Sequence, residues 1–182
     1  MKLKIKIKLK DRDINNMPKQ IAKGDWIDLV ASEDIDLDSL SKEQEKLFEF
    51  TGKYDKKRFS YAILPLGVAM KLPEGYEAII SPRSSIFKNF NCIMPNSIGI
   101  IDSSYSGNDD YWGCPVLAFS KGIKIKKGER LCQFRIQLNQ KATMGQKIKN
   151  LFYSGIQFEI VDNLNSVNRG GFGHTGKKEV KE

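Results

Sequence analysis

From Tyr61 onward the chain is cut into short apolar runs by turns rich in glycine and proline, and this spacing limits its fold more than any other feature. The run AILPLGVAMKL is followed by the turn Pro73-Glu74-Gly75 and then by YEAIIS. Pro115 to Phe119, Ile123 to Ile125, Arg130 to Leu138 and Ile156 to Val161 continue the series. Runs this short, rich in β-branched residues and bounded by turn formers, are strands, and many of them at regular intervals give a sandwich or a barrel. No alternation of strands with helix-length segments supports a doubly wound nucleotide-binding sheet. The expected fold class is all-β.

The N-terminus adds a further strand. Lysines 2, 4, 6, 8 and 10 alternate with Leu3, Ile5, Ile7 and Leu9, the period of a half-buried strand with a solvated lysine face, and lysine is a common guard on sheet edges. An edge strand is therefore expected here. The formal net charge of +8 raises the question of nucleic acid. This stripe lacks the aromatic side chains on which bases stack, so no nucleic-acid partner is expected, and the phosphates of a nucleotide are an equal destination for the charge. No apolar run approaches the roughly 20 residues of a membrane span, and the lysine-rich start lacks the apolar core of a signal peptide. A cytoplasmic protein without membrane contact is expected. Cys92, Cys114 and Cys132 are odd in number and form no CxxC pair, so free buried thiols are expected. With His174 as the single histidine, a conventional zinc site is not expected either.

A length of 182 residues fits one domain, here residues 1–164, carrying an insertion. The highly charged stretch Asp38 to Phe59 has Leu40, Leu47, Phe48 and Phe50 at helical spacing, with Thr51, Gly52 and Lys53 ending the helix. It reads as a helical insertion at about 38–59. A solvated surface helix is the plain reading, and an element that binds a protein partner is the sharper one.

Four stretches carry residues suited to chemistry. In NSIGIIDSSYSGN, Asn96 to Asn108, β-branched residues around Gly99 suit a short buried strand, expected to stop at Asp102 and turn through serines and glycine. Alone, an aspartate after a strand starts an Asx-turn. PRSSIF, Pro82 to Phe87, puts an arginine and two hydroxyls at the opening of a helix, where orphan amides attract anions. In GERLCQFRI, Gly128 to Ile136, alternation alone turns Gln133 outward. The tail NRGGFGHTG, Asn168 to Gly176, has too much glycine to pack by itself and reads as a linker unless a ligand orders it.

Together with KGDWIDLVASEDIDL, Lys23 to Leu37, these stretches resemble, in order, the five motifs of the trimeric dUTP pyrophosphatases (dUTPases). The resemblance spans nearly the whole chain outside the insertion. It implies a jelly-roll-like β-barrel and a homotrimer with active sites at subunit interfaces, with a tail, residues 165–182, that closes over them. It also implies the reaction of dUTP with water to give dUMP and diphosphate, which removes dUTP and supplies dUMP for thymidylate synthesis. Asp102 then corresponds to the general base for the water that attacks the α-phosphorus. Arg83, Ser84, Ser85, Gln133, Arg169 and Thr175 correspond to phosphate-binding residues, and Mg²⁺ would be held mainly by phosphates and water. Asn96, with the backbone of Gly99, Ile100 and Ile101, would read the uracil. Tyr105 would lie under the deoxyribose, Phe172 would stack on the base, and Gly173 and His174 would complete the tail's contacts. Asp28 matches the aspartate of the first motif and is expected to support the site from behind. In the usual pattern an Ala-Gly pair precedes an aromatic and that aspartate, where this chain has Trp26 and Ile27. The tail arginine usually stands two residues further from the Gly-Phe-Gly core.

Two other readings remain. A related fold serves dCTP deaminases, which use a glutamate after the corresponding turn, yet there is no glutamate from Ala78 through Gly128. A nucleotide-binding regulatory protein that contacts a partner through the insertion is the alternative from a different class.

Overall fold

A computed structural model describes residues 1–22, 24–47 and 55–171. In chain order the elements are β1 (Leu3–Leu9), β2 (Lys19–Gln20), β3 (Ile27–Val30), β4 (Ile35–Asp36), α1 (Leu37–Leu47), β5 (Ser60–Pro65), β6 (Val68–Lys71) and β7 (Tyr76–Pro82). They continue with α2 (Ile86–Phe90), β8 (Cys92–Ile93), β9 (Gly99–Asp102), β10 (Gly113–Ala118), β11 (Lys124–Ile125), β12 (Arg130–Leu138), α3 (Met144–Asn150) and β13 (Ile156–Ile160). The sheets have the orders β13-β1-β6, β5-β10-β8, β11-β4 and β2-β3-β12-β7-β9. This is the expected all-β, jelly-roll-like fold. None of the described helices is long and apolar enough to cross a membrane.

Alternation builds the core directly. Leu3, Ile5, Ile7 and Leu9 of β1 all point inward and are buried, while Lys4 and Lys6 stay exposed. They meet a core in which the Trp112 and Phe134 rings pack edge to face, 5.2 Å between centroids. Fully burying one such side chain contributes on the order of 2 kcal/mol. The position of β1 corrects one expectation. It is flanked on both sides, parallel by β13 and antiparallel by β6, so its lysines cover the middle of a sheet rather than guarding an edge.

The insertion is helical from Leu37, where Asp36 caps the start by accepting the Ser39 amide at 3.1 Å. Gln44 then bonds both backbone groups of Ile63 on β5, at 2.9 and 2.7 Å, and Leu37 and Ser41 are buried. The helix is thus fastened to the barrel along one face and solvated only along the other. Phe48, Phe50, Thr51, Gly52 and Lys53 lie outside the described residues. Cys92, Cys114 and Cys132 are free and buried, as expected. Burial, then the neighbouring Cys114, pushes the Cys92 thiol up to about 12, so it is inert at neutral pH.

The strand β9 is the second correction. Among the described residues it forms the outer edge of the five-stranded sheet, paired with β7 alone, and Ile98 and Ile100 are 47% and 61% exposed rather than buried. A Cβ added at Gly99 would meet Ile80 at 3.5 Å, an ordinary contact, so packing within the chain does not account for that glycine.

Candidate active site

The strand β9 delivers Asp102 to the surface and then turns sharply. Asp102 does start an Asx-turn: its Oδ1 accepts the Ser104 amide at 2.9 Å and the Ser104 hydroxyl as well. Its Oδ2 accepts from the Arg169 guanidinium. Partial burial by itself would raise the pKa of this carboxyl. The Ser104 hydroxyl, the Arg169 hydrogen bond, the Ser104 amide and the Arg169 charge outweigh that and hold it below the ordinary carboxylate value. The Asp102 side chain remains 47% exposed.

Beside it lies a cleft of about 240 Å³ lined by Ile100, Ile101, Asp102, Tyr105, Gly113 and Arg169. The Tyr105 hydroxyl donates to the Tyr111 carbonyl at 3.0 Å, which fixes the ring as a wall of the cleft. Because β9 is an edge, one row of its backbone amides and carbonyls has no strand partner among the described residues and is open to a ligand. Asn96 is exposed in the turn just before this strand, its carbonyl accepting the Ile98 amide at 2.6 Å.

A second cluster forms where β3, β7 and β12 meet. Asp28 is 1% exposed and bridges two arginines, with Arg83 Nε at 3.0 Å from Oδ1 and a terminal Arg130 nitrogen at 3.1 Å from Oδ2. It therefore aims both guanidinium groups. Gln133 stands opposite Asp28 in the sheet and donates to the Pro82 carbonyl at 3.4 Å, so it is part-buried rather than turned fully outward. Ser84 and Ser85 lead into α2, with Ser85 at the N-cap but making no side-chain cap bond. A cleft of about 400 Å³ lies here, lined among others by Lys19, Arg83, Asn89, Glu129 and Arg130.

The two clusters are not adjacent. In the antiparallel pairing Asp102 lies across from Glu77, and Arg83 lies six residues further along the same chain, which places them about 20 Å apart in an extended strand. The sequence-expected residues thus fall into two groups: Asn96, Gly99, Ile100, Ile101, Asp102, Tyr105 and Arg169 in one, and Asp28, Arg83, Ser84, Ser85 and Gln133 in the other. Phe172, Gly173, His174 and Thr175 lie outside the described residues.

Arg130 and Lys19 were not legible as site residues. Strict alternation puts Arg130 and Gln133 on opposite faces of β12, but a register irregularity between Arg130 and Cys132 turns Arg130 back toward Asp28.

Comparison with known proteins decides which family has this arrangement. Residues 51–176 match the sequence model of the dUTPase family. The chain belongs to the dUTPase family. It is 40% identical over 176 residues to the SPbeta prophage-derived deoxyuridine 5'-triphosphate nucleotidohydrolase YosS of Bacillus subtilis, a match that covers 97% of this chain and 100% of that protein. The crystal structure of the dUTPase from Streptococcus mutans has the same fold, with a TM-score of 0.59 at 19% identity over 75% of this chain and 98% of that one. A mutant dUTPase from phage phi11 of S. aureus, whose structure is described as revealing the coordination of a structural Mg(II) ion, aligns with a TM-score of 0.53 at 18% identity over 77% of this chain and 94% of that one. The dUTPase family model begins after α1, whereas the Bacillus relative extends the match over nearly the whole chain.

Proposed function

We propose that the protein hydrolyses dUTP to dUMP and diphosphate, with Asp102 as the general base. The observation that carries this reading is a half-exposed carboxylate at the end of an open sheet edge, beside a tyrosine-walled cleft and an arginine. Held below its ordinary pKa, the Asp102 carboxylate is ionised at neutral pH and can accept a proton from a water at the α-phosphorus. The outward row of backbone donors and acceptors along Gly99, Ile100 and Ile101, on the side away from β7, would read the uracil edge, and Asn96 adds a side-chain amide. Tyr105 packs under the deoxyribose and leaves no room for a 2′-hydroxyl.

The second cluster gathers the triphosphate. Arg83, Arg130 and Gln133, with Ser84 and Ser85, supply the donors that phosphoryl transfer requires, since such transfer depends mainly on positioning and charge stabilisation. The stretch of about 20 Å along the strand between this cluster and Asp102 favours a reading in which the base and these donors come from different copies. On this reading two neighbouring copies build each site, in a homotrimer with a site at each interface. Phe172, Gly173, His174 and Thr175 complete the contacts from the tail, and Arg169 reaches a phosphate once it leaves Asp102. No group of three or more histidine, cysteine or acidic side chains is arranged for a metal ion among the described residues. The donor set instead fits Mg²⁺ brought in on the triphosphate, where phosphates and water hold it and its charge offsets theirs. No nucleic-acid or membrane partner enters this reading, and the nucleotide pool it acts on is cytoplasmic.

The assay that tests the reading measures diphosphate and ammonia release from dUTP, dCTP and UTP. Diphosphate from dUTP alone is expected, and ammonia from dCTP would overturn it in favour of a deaminase. Replacing Asp102→Asn should lower turnover by about 100-fold or more with nucleotide binding retained, because shape is kept and the base is lost. Near-normal turnover would remove Asp102 from the mechanism.

A further inference from the structure

Asp110 has no part in the chemistry above, yet it is a carboxylate only 2% exposed. It sits in the loop that follows Tyr105, and its bonds are to backbone amides. Its Oδ2 accepts from Gly107 at 2.8 Å and Arg169 at 2.9 Å, and its Oδ1 from Gly170 at 2.9 Å and Arg169 at 3.1 Å. Two of these donors belong to its own loop's opposite number, a segment nearly sixty residues later in the chain. Further bonds join the same two stretches. Asn168 donates to Asp109 at 2.6 Å and accepts the Asp109 amide at 2.9 Å, and Asn108 donates to Asn163 at 2.8 Å and accepts the Leu164 amide at 2.9 Å.

Gly107 completes the seat. A Cβ built there would lie 2.2 Å from Asn168 Oδ1 and 2.4 Å from Asn168 Cα, and the nearest atoms all belong to Asn168. Its φ is outside the left-handed region, so the reason for glycine is space and not backbone conformation. At the far end of the segment Arg169 reaches Asp102, and Gly171 lies so close to the Tyr105 ring that a Cβ would come within 3.1 Å of it.

We propose that Asp110 and Gly107 form a receptor that docks the segment 163–171 beside Asp102, and that Asp110 is a positioning residue for dUTP hydrolysis that acts only through this docked tail. The inference rests on the hydrolase reading and extends it to a loop outside the reacting groups. A carboxylate that accepts several backbone amides is a strong acceptor. Burial alone would raise the Asp110 pKa, but the amides of Arg169, Gly107, Gly170 and Ser106 hold it below the ordinary carboxylate value, so the clamp is charged at neutral pH.

The test is a double-mutant cycle on the full chain and on a chain ending before Asn168, with Asp110→Ala and Gly107→Ala in each. In the full chain each substitution should lower kcat/KM for dUTP by about 10-fold or more. Asp110→Asn, which keeps one acceptor oxygen, should fall between. In the shortened chain, which has lost the residues 168–170 that Asp110 and Gly107 hold, neither substitution should lower the residual activity further. Equal losses in both backgrounds, or no loss in the full chain, would overturn the proposal. Gly107→Ala guards against a simple folding defect in Asp110→Ala, because its new methyl meets the tail first. Backbone hydrogen exchange gives a readout independent of turnover: Arg169 and Gly170 should exchange faster in both variants while β9 stays protected. Unchanged exchange there would overturn the proposal even for a chain that hydrolyses dUTP, whereas a chain that docks its tail but hydrolyses no dUTP would refute only the hydrolase reading.

Discussion

Asp102 divides its two oxygens between a local turn and a distant arginine, and the division sets its titration. Arg169→Ala removes a hydrogen bond and a positive charge that both favour the ionised form, so the Asp102 pKa should rise toward or above the ordinary 3.8. With its folded pKa depressed, the stability contributed by Asp102 is present above that ordinary value and lost as pH falls through the folded one. In Arg169→Ala this contribution should be smaller and its loss complete at a higher pH. Carboxyl NMR of Asp102 across the acid range checks the shift, and an unmoved titration would mean that the ion pair does not form in solution. Tyr105 makes a separate demand. With its hydroxyl tied to Tyr111 and its ring beside the cleft, Tyr105→Ala should narrow the preference for dUTP over UTP, measured as the ratio of kcat/KM values. A variant that only melts earlier, with the ratio unchanged, would make Tyr105 a packing residue. Asp28 acts at one remove, since it aims Arg83 and Arg130 without lying at the surface. Asp28→Asn should raise KM for dUTP by about 10-fold, near 1.4 kcal/mol, with kcat changed less. Equal loss in both constants would place Asp28 in the chemical step instead.

At the scale of elements, β9 combines two properties that are costly in a lone protein: an unpaired sheet edge and exposed isoleucines. Both make sense if nucleotide and a neighbouring copy cover the strand. Ile100→Lys should therefore leave the melting temperature nearly unchanged, because the side chain is already 61% exposed, while weakening dUTP binding or self-association. Calorimetric titration and sedimentation together check this, and a variant normal in both would show that β9 faces only water. The alternation around Gly99 marked a strand, but nothing local said that β7 would be its sole neighbour. The same holds for β1, whose lysines fit an edge pattern and in fact cover the interior of a sheet, because β13 from the far end of the chain pairs with it.

For the whole molecule, the separation of Asp102 from Arg83 predicts that activity is a property of the proposed trimer. Arg83→Ala and Asp102→Asn chains should each be nearly inactive alone. Mixed trimers purified through two different tags should recover roughly one third of the unmodified activity, since in a cyclic ring of three only one interface then joins an intact acid to an intact phosphate cluster. No recovery would mean that each chain builds its own site or that the assembly is of another kind.

The succession of short strands, the all-β class, the buried thiols and the placement of Asp102 at a strand end were legible from the chain alone, because each rests on local periodicity and turn chemistry. The five family-like segments were legible too, and the family match over residues 51–176 covers the last four of them. Three features were decided only by tertiary structure. The irregular register at Arg130 turns a side chain against the alternation, the edge position of β9 exposes residues that look like core, and the loop at Gly107 and Asp110 receives a segment some sixty residues away. Each depends on which distant stretch lies alongside. A sequence records how its residues alternate, but the partner that a strand or loop meets is fixed only when the chain has closed on itself.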